Sequence, residues 1–191
     1  MVYLNDKFEI VKKKIEELTK KSVAEEDYVH SQLTWKNVLK LKTNADIALQ
    51  VAALGHDIDR SFPERRVKKE DFKDYNEYKK QHSFVSAKII SELMSECHFE
   101  EKIIDKTRYL IENHEIGGGE EINVLMNADS LAFFEYNIPF YLKRNGEEKA
   151  KQKIQFMYNR LSPTAKELNS QIKFSDEQIR TLVRQSLIEI F

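Results

Sequence analysis

Apolar residues recur by threes and fours along nearly the whole of this chain, and little interrupts them: 191 residues hold only 5 glycines and 3 prolines. A β-fold needs many tight turns, which those residues supply, so their scarcity points to helices. Phe8, Val11, Ile15 and Leu18 predict a first amphipathic helix, ended by Lys20 to Ser22. Asp27 is placed to cap a second, with His30, Leu33, Asn37 and Leu41 on one face. From about Asn44 the stretch ADIALQVAALGHDI carries few charges, the pattern of a buried central helix, and closes on His56-Asp57. The charged residues 60–81 read as an exposed loop up to Asp71 and then as the lead-in to a helix. His82, Val85, Ile89, Ile90 and Leu93 mark that helix. Ile103, Ile104, Thr107, Leu110, Ile111 and His114 mark the next, stopped by Gly117 to Gly119. Leu125, Ala128, Ala132 and Phe133 form an apolar stripe with Asp129 set inside it. Asn145-Gly146 breaks the chain before a helix near 147–160, and Ser162-Pro163 starts the last one. The expectation is one all-α domain over 1–191, with a core region of about 27–136 and C-terminal helices in 147–191.

Composition narrows the function. Lysine plus arginine (31) nearly balance aspartate plus glutamate (32), so no global basic field draws the chain to nucleic acid or anionic membranes. Cys97 is the only cysteine, which rules out an internal disulfide and favours a reducing compartment. The N-terminal stretch is charged and amphipathic, unlike a signal peptide, and no apolar run approaches a bilayer span. A soluble, cytoplasmic protein without nucleic-acid or membrane partners is expected; the oligomeric state stays open.

The chemistry lies in an ordered set: His30, the doublet His56-Asp57, His82, His114 and Asp129. Neutral imidazole and ionised carboxylate are the usual N/O ligands of borderline divalent metals. A single histidine on a mixed helix face is more often structural. Asp129 is harder to dismiss, because a carboxylate among apolar neighbours is costly to bury without a metal or an arginine. Successive helical side chains diverge by about 100°, so His56 and Asp57 can both reach a cation lying between their directions.

The order His…His-Asp…Asp resembles the HD superfamily of metal-dependent phosphohydrolases over roughly residues 27–136. His30, His56, Asp57 and Asp129 match its four defining positions, and Asn127 to Leu131 is similar to the stretch around the last ligand. The fold this implies is an all-α HD-domain helical bundle. His82 and His114 resemble the two extra histidines of two-metal members. Leu110 to Gly117 is similar to the apolar-x-x-His-x-x-Gly segment of that subset, which includes dinucleotide polyphosphate hydrolases. The resemblance implies one metal held by His30, His56, Asp57 and Asp129, with Asp57 bridging to a second held by His82 and His114. It implies one or two divalent ions per chain, drawn from Fe, Mn, Co, Ni, Zn and Mg. His98 has no counterpart and is assigned to the surface.

Departures narrow the substrate only negatively. Ile58-Asp59-Arg60 lacks the acidic pair expected of guanosine tetraphosphate hydrolases and the acidic residue that marks 5′-deoxynucleotidases. The Gly-Tyr-Pro and His-His signatures of cyclic-di-GMP phosphodiesterases are also missing, although those enzymes carry a lysine where Arg60 stands. Arg60 is read as a phosphate binder, with a salt bridge to Asp59 or Glu64 as the competing role. Arg65, Arg66, Lys68 and Lys69 read as a solvated face, and Phe133, Phe134, Tyr136, Phe140 and Tyr141 as core. The expected activity is hydrolysis of a nucleotide or other small phosphate ester by metal-activated water. Asp57 and Arg60 are its catalytic residues, and Asp59, by nearness alone, is the candidate leaving-group acid. Two alternatives stand beside it: an HD-type di-iron oxygenase, and a non-catalytic regulatory module that binds a nucleotide.

Overall fold

A computed structural model describes residues 3–188. Those residues form α-helices joined mostly by short turns, with one long connection over 56–74 and no strand among them. The helices are α1 (Leu4–Thr19), α2 (Asp27–Leu41), α3 (Ile47–Gly55), α4 (Tyr75–Glu96), α5 (Glu101–Asn113), α6 (Glu120–Ala132), α7 (Ile138–Asn145), α8 (Glu147–Asn159), α9 (Pro163–Ser170) and α10 (Glu177–Ile188). None is long and apolar enough to cross a membrane. Residues 189–191, at the end of the expected C-terminal helices, lie outside the described residues.

The uncharged α3 is the axis of the first half. It is surrounded by α1, α2, α4, α5 and α6, and Val51, Ala52, Ala53 and Leu54 are buried on all sides. Asp46 caps it, accepting from the Leu49 amide at 3.0 Å, so it begins three residues later than the sequence suggests. A second apolar cluster, built on Phe134, Ile138, Ile154 and Leu182, joins the end of α6 to α7, α8 and α10. Leu41 packs against both clusters.

Three expectations change. Asp27 does not cap α2: it is the first residue inside the helix, buried, and takes the Ser22 hydroxyl instead. The buried face of α2 carries Ser31, Thr34 and Val38, while Leu33 sits at its margin. The stretch after Ser162-Pro163 is two helices, because Asp176 caps a new one by accepting from Ile179 N at 3.1 Å.

Between α6 and α7 the helical path continues through a π-turn, Phe133–Asn137, which the sequence reading missed together with α7. Pro139 lies two residues beyond its end. Its ring clashes with the carbonyl four residues back in an α-turn and it has no N–H to give, so the wider turn relieves the conflict.

The end of α3 is packed against α4 without room for a side chain. A Cβ on Gly55 would stand 2.2 Å from Ile90 Cδ1 and 2.6 Å from Ile90 Cγ1, and Ile90 is fully buried. This contact fixes where the chain leaves α3 and therefore where His56 and Asp57 point. Gly55→Ala removes a helix glycine, a gain of about 0.5–1 kcal/mol, but overpacks the core at about 1–3 kcal/mol. A net loss of stability is expected in chemical denaturation, and unchanged or raised stability would contradict the close-packing account.

Candidate metal centre

His56 and Asp57 leave the C-terminus of α3, where the chain turns into the 3-10 turn Ile58–Ser61. His30 comes from α2, His82 from α4, His114 from the end of α5 and Asp129 from α6. The structure brings all six together. His30, His56, His82, His114 and Asp129 are buried, and Asp57 keeps partial exposure. His30 Nε2 stands 3.1 Å from Asp129 Oδ1 and 3.3 Å from His56 Nε2, and His56 Nε2 is 3.6 Å from the same carboxylate oxygen. Asp57 lies between two sets of imidazoles. Its Oδ2 is 3.7 Å from His56 Nε2 and 4.0 Å from His30 Nε2, and its Oδ1 is 2.8 Å from His82 Nε2. Three overlapping groups have donor atoms close enough to hold an ion: His30, His56 and Asp129; His56, Asp57 and His114; His82, His114 and Glu115.

The imidazoles all face the same way, for a reason that lies outside the cluster. His56 Nδ1 meets the Ala53 carbonyl at 3.1 Å and His114 Nδ1 the Ile111 carbonyl at 2.7 Å. His82 Nδ1 meets Asp59 Oδ1 at 2.8 Å, and His30 Nδ1 meets Asn137 Oδ1 at 3.1 Å. Those oxygens can only accept, so each Nδ1 carries a proton and each Nε2 is turned toward the centre, where it becomes a ligand once free of a proton. An outward Nδ1–H on an acceptor is how metal-binding histidines are oriented. His82 Nε2 lies 2.8 Å from Asp57 Oδ1, so the carboxylate of Asp57 is within direct reach of this ring. Bonds of about 2.0–2.2 Å to one ion bring its ligand atoms to about 3–3.5 Å of one another, much like the separations here. The residues fit a divalent cation, and an N/O donor set suits the borderline metals.

Asp129 answers its burial in both of the ways open to it. Oδ1 faces His30 and His56, while Oδ2 is held by Arg160 from the end of α8. Arg160 also reaches Glu115 at 3.1 Å and Ser130 Oγ at 2.6 Å. Burial opposes ionisation of Asp129, but Arg160, His30 and His56 hold it well below the usual carboxylate range. Arg60, His56 and His82 do the same for Asp57. Arg60 pairs with Asp57 at 2.6 Å and lies 3.5 Å from Asp27, so its ionic partners differ from Asp59 and Glu64, the two named for its competing role. Asp59 is not positioned as an acid for a leaving group. It is buried behind His82, accepting from Ser86 Oγ at 3.1 Å as well. His98 is exposed at a positive φ, on the surface as expected.

A cleft of about 360 Å³ opens over Asp57, His30 and Asp129. Arg60, Arg66, Lys69, Arg144 and Lys153 line it. Of the loop cations expected to be solvated, Arg66 and Lys69 thus stand at the cleft, whereas Arg65 pairs with Glu92 at 2.7 Å. Phe133 and Tyr141 form part of the wall rather than core alone. Sequence reasoning missed Glu115, Asn137, Lys153 and Arg160. Glu115 was signalled by its place beside His114; the others depend on how the chain returns through the π-turn and α8.

The family model described as Domain of unknown function (DUF4202) matches residues 6–183. The chain belongs to the DUF4202 family. No curated protein and no solved structure matches it. The match covers every residue of the DUF4202 chain assigned above to the centre and the cleft.

Proton linkage gives this DUF4202 centre a testable signature. Burial lowers the His82 pKa, but Asp59 and Asp57 raise it further, leaving it well above the ordinary value. Burial carries His114 down to about 4. The raised pKa favours a second proton on His82 in the metal-free centre, whereas His114 keeps only its Nδ1–H. An incoming cation must displace the His82 proton. Metal affinity should rise with pH across the neutral range, with proton release on binding in calorimetry run in two buffers. Affinity that is flat or falls between pH 6 and 8, without proton release, would contradict this arrangement.

Proposed function

We propose that this chain is a metal-dependent phosphohydrolase of the HD type, acting on a nucleotide or another small phosphate ester with one or two divalent ions. The observation that carries the reading is the convergence of four imidazoles with Asp57 and Asp129, His30, Asp57 and Asp129 of this set lying at a cation-lined cleft. By the resemblance, His30, His56, Asp57 and Asp129 hold one ion and His82 and His114 the other, with Asp57 shared. Its two oxygens face the two sets, in keeping with that role.

When bound, a divalent cation here supplies Lewis acidity and lowers the pKa of water toward neutrality. The chain's own residues do the rest. The ring nitrogens are pre-aimed by their Nδ1 acceptors, so no reorganisation is needed at the moment of reaction. Arg60 spends one N–H on Asp57 and, half-buried at the cleft, keeps further donors for phosphoryl oxygens. Phe133 and Met157 contribute apolar wall that limits water at the floor.

Arg60→Ala should lower kcat/KM on phosphate esters by about tenfold to a hundredfold, the worth of a charge-assisted contact of about 1.5–3 kcal/mol. Metal content should persist, because removing the guanidinium frees Asp57 Oδ2 from a competing cation. Arg60→Lys should recover part of the loss. The assay is a panel of phosphate esters under several metals. If the metal-loaded wild type hydrolyses none of them but consumes dioxygen when loaded with iron, the phosphohydrolase reading gives way to the oxygenase.

A further inference from the structure

The charges around the cleft are not evenly matched. Every carboxylate at its floor and rim has a partner: Asp57 and Asp27 have Arg60, Glu26 has Arg144, and Asp129 and Glu115 have Arg160. The cations are not all used in this way. Among the described residues Arg66, Lys69 and Lys153 line the cleft with no carboxylate in ion-pair reach.

Lys153 is the telling one. It rises from α8, half-buried, with Nζ 5.2 Å from the centre of the Phe156 ring and 5.9 Å from that of Phe133. The same Phe156 ring receives Lys79 at 5.2 Å and Arg160 at 5.5 Å. Three cations thus crowd one aromatic ring. Two are compensated, Arg160 by Asp129 and Glu115, and Lys79 by Glu115 at 3.7 Å. Lys153 has the ring faces and only the longer-range pull of Glu115 and Asp129, both already paired with Arg160. Burial, then repulsion from Arg160, bring its pKa down to about 8, as expected of an ammonium short of a counter-charge. A sheltered charge without a partner is costly and normally finds one.

We infer that the cleft is built for a diphosphate: one phosphoryl group at the floor beside Arg60, and the next held by Lys153 with Arg66 and Lys69 at the mouth. A lone phosphate beside the metal ligands and Arg60 leaves these three cations without a role, whereas a second phosphoryl group supplies the missing negative charge within the same 360 Å³. The inference rests on the phosphohydrolase reading for its choice of phosphoryl groups, but its test reads binding.

Two non-hydrolysable probes separate the possibilities: the phosphonate analogue of AMP and α,β-methylene-ADP. Each is titrated by calorimetry into metal-loaded full-length protein, with metal content measured again afterwards. The diphosphate probe should bind at least about tenfold tighter, the worth of a charge-assisted contact. Lys153→Gln should remove most of that advantage while leaving the Kd of the monophosphate probe within about twofold. Arg66→Gln, at an exposed loop position where folding is not at stake, should remove a smaller share. Equal affinity for the two probes, an advantage that survives both substitutions, or an equal loss for both probes in Lys153→Gln overturns the inference. Monophosphate ester hydrolysis combined with any of these results sinks the diphosphate inference alone. The expected binding pattern without hydrolysis of any ester sinks only the phosphohydrolase reading.

Discussion

Burying Asp57 and Asp129 inside a bundle of helices is the constraint around which the rest of this molecule is arranged. An ionised carboxylate taken out of water costs several kcal/mol unless cations and donors replace its hydration. Around these two the chain assembles Arg60, Arg160 and four imidazoles, drawn from elements far apart in sequence. The arginines answer part of the charge. The remaining carboxylate oxygens, Asp57 Oδ1 and Asp129 Oδ1, face imidazole Nε2 atoms whose protons sit on the far side of the ring. Carboxylate oxygens and ring nitrogens gathered this closely form an arrangement that a cation between them stabilises.

Two tiers of charge follow from this. At the floor, Glu26, Asp27, Asp57, Glu115 and Asp129 outnumber the basic side chains that pair with them, Arg60, Arg144, Arg160 and Lys79, so the balance is negative. On the wall and mouth, Lys153, Arg66 and Lys69 stand without carboxylates among the described residues, and the balance is positive. A cation below and an anion above is the order a metal-assisted reaction on a phosphoryl group needs. The global charge, near zero, hides both tiers.

Much of this was legible in the sequence because it depends on local patterns. The uncharged run before His56 has no place except a buried axis, and the carboxylate in the Leu125 to Phe133 stripe announced a need for compensation. That need did not identify its partner: Arg160 lies 31 residues away and reaches Asp129 only after the chain has turned back through α7 and α8. Asn137 is brought to His30 by the π-turn, which inserts a residue where periodicity arguments assume an unbroken α-helix. Pro139 was the available signal for that turn, and Asp176 for the cap that begins α10. Asp59 was near in sequence and wrong in role, since the 3-10 turn after the doublet sends it behind His82 rather than into the cleft.

The account depends most on the imidazole and carboxylate cluster being a metal centre rather than a satisfied polar core. Elemental analysis of the purified protein, after exposure to Mn, Fe, Co, Ni and Zn and removal of loose ions, tests that directly. One to two tightly held equivalents per chain are expected, falling in Asp57→Ala and in His82→Ala while helicity by circular dichroism is kept. A wild-type protein that retains no stoichiometric metal under any of these conditions, or an Asp57→Ala variant with full occupancy, would contradict it.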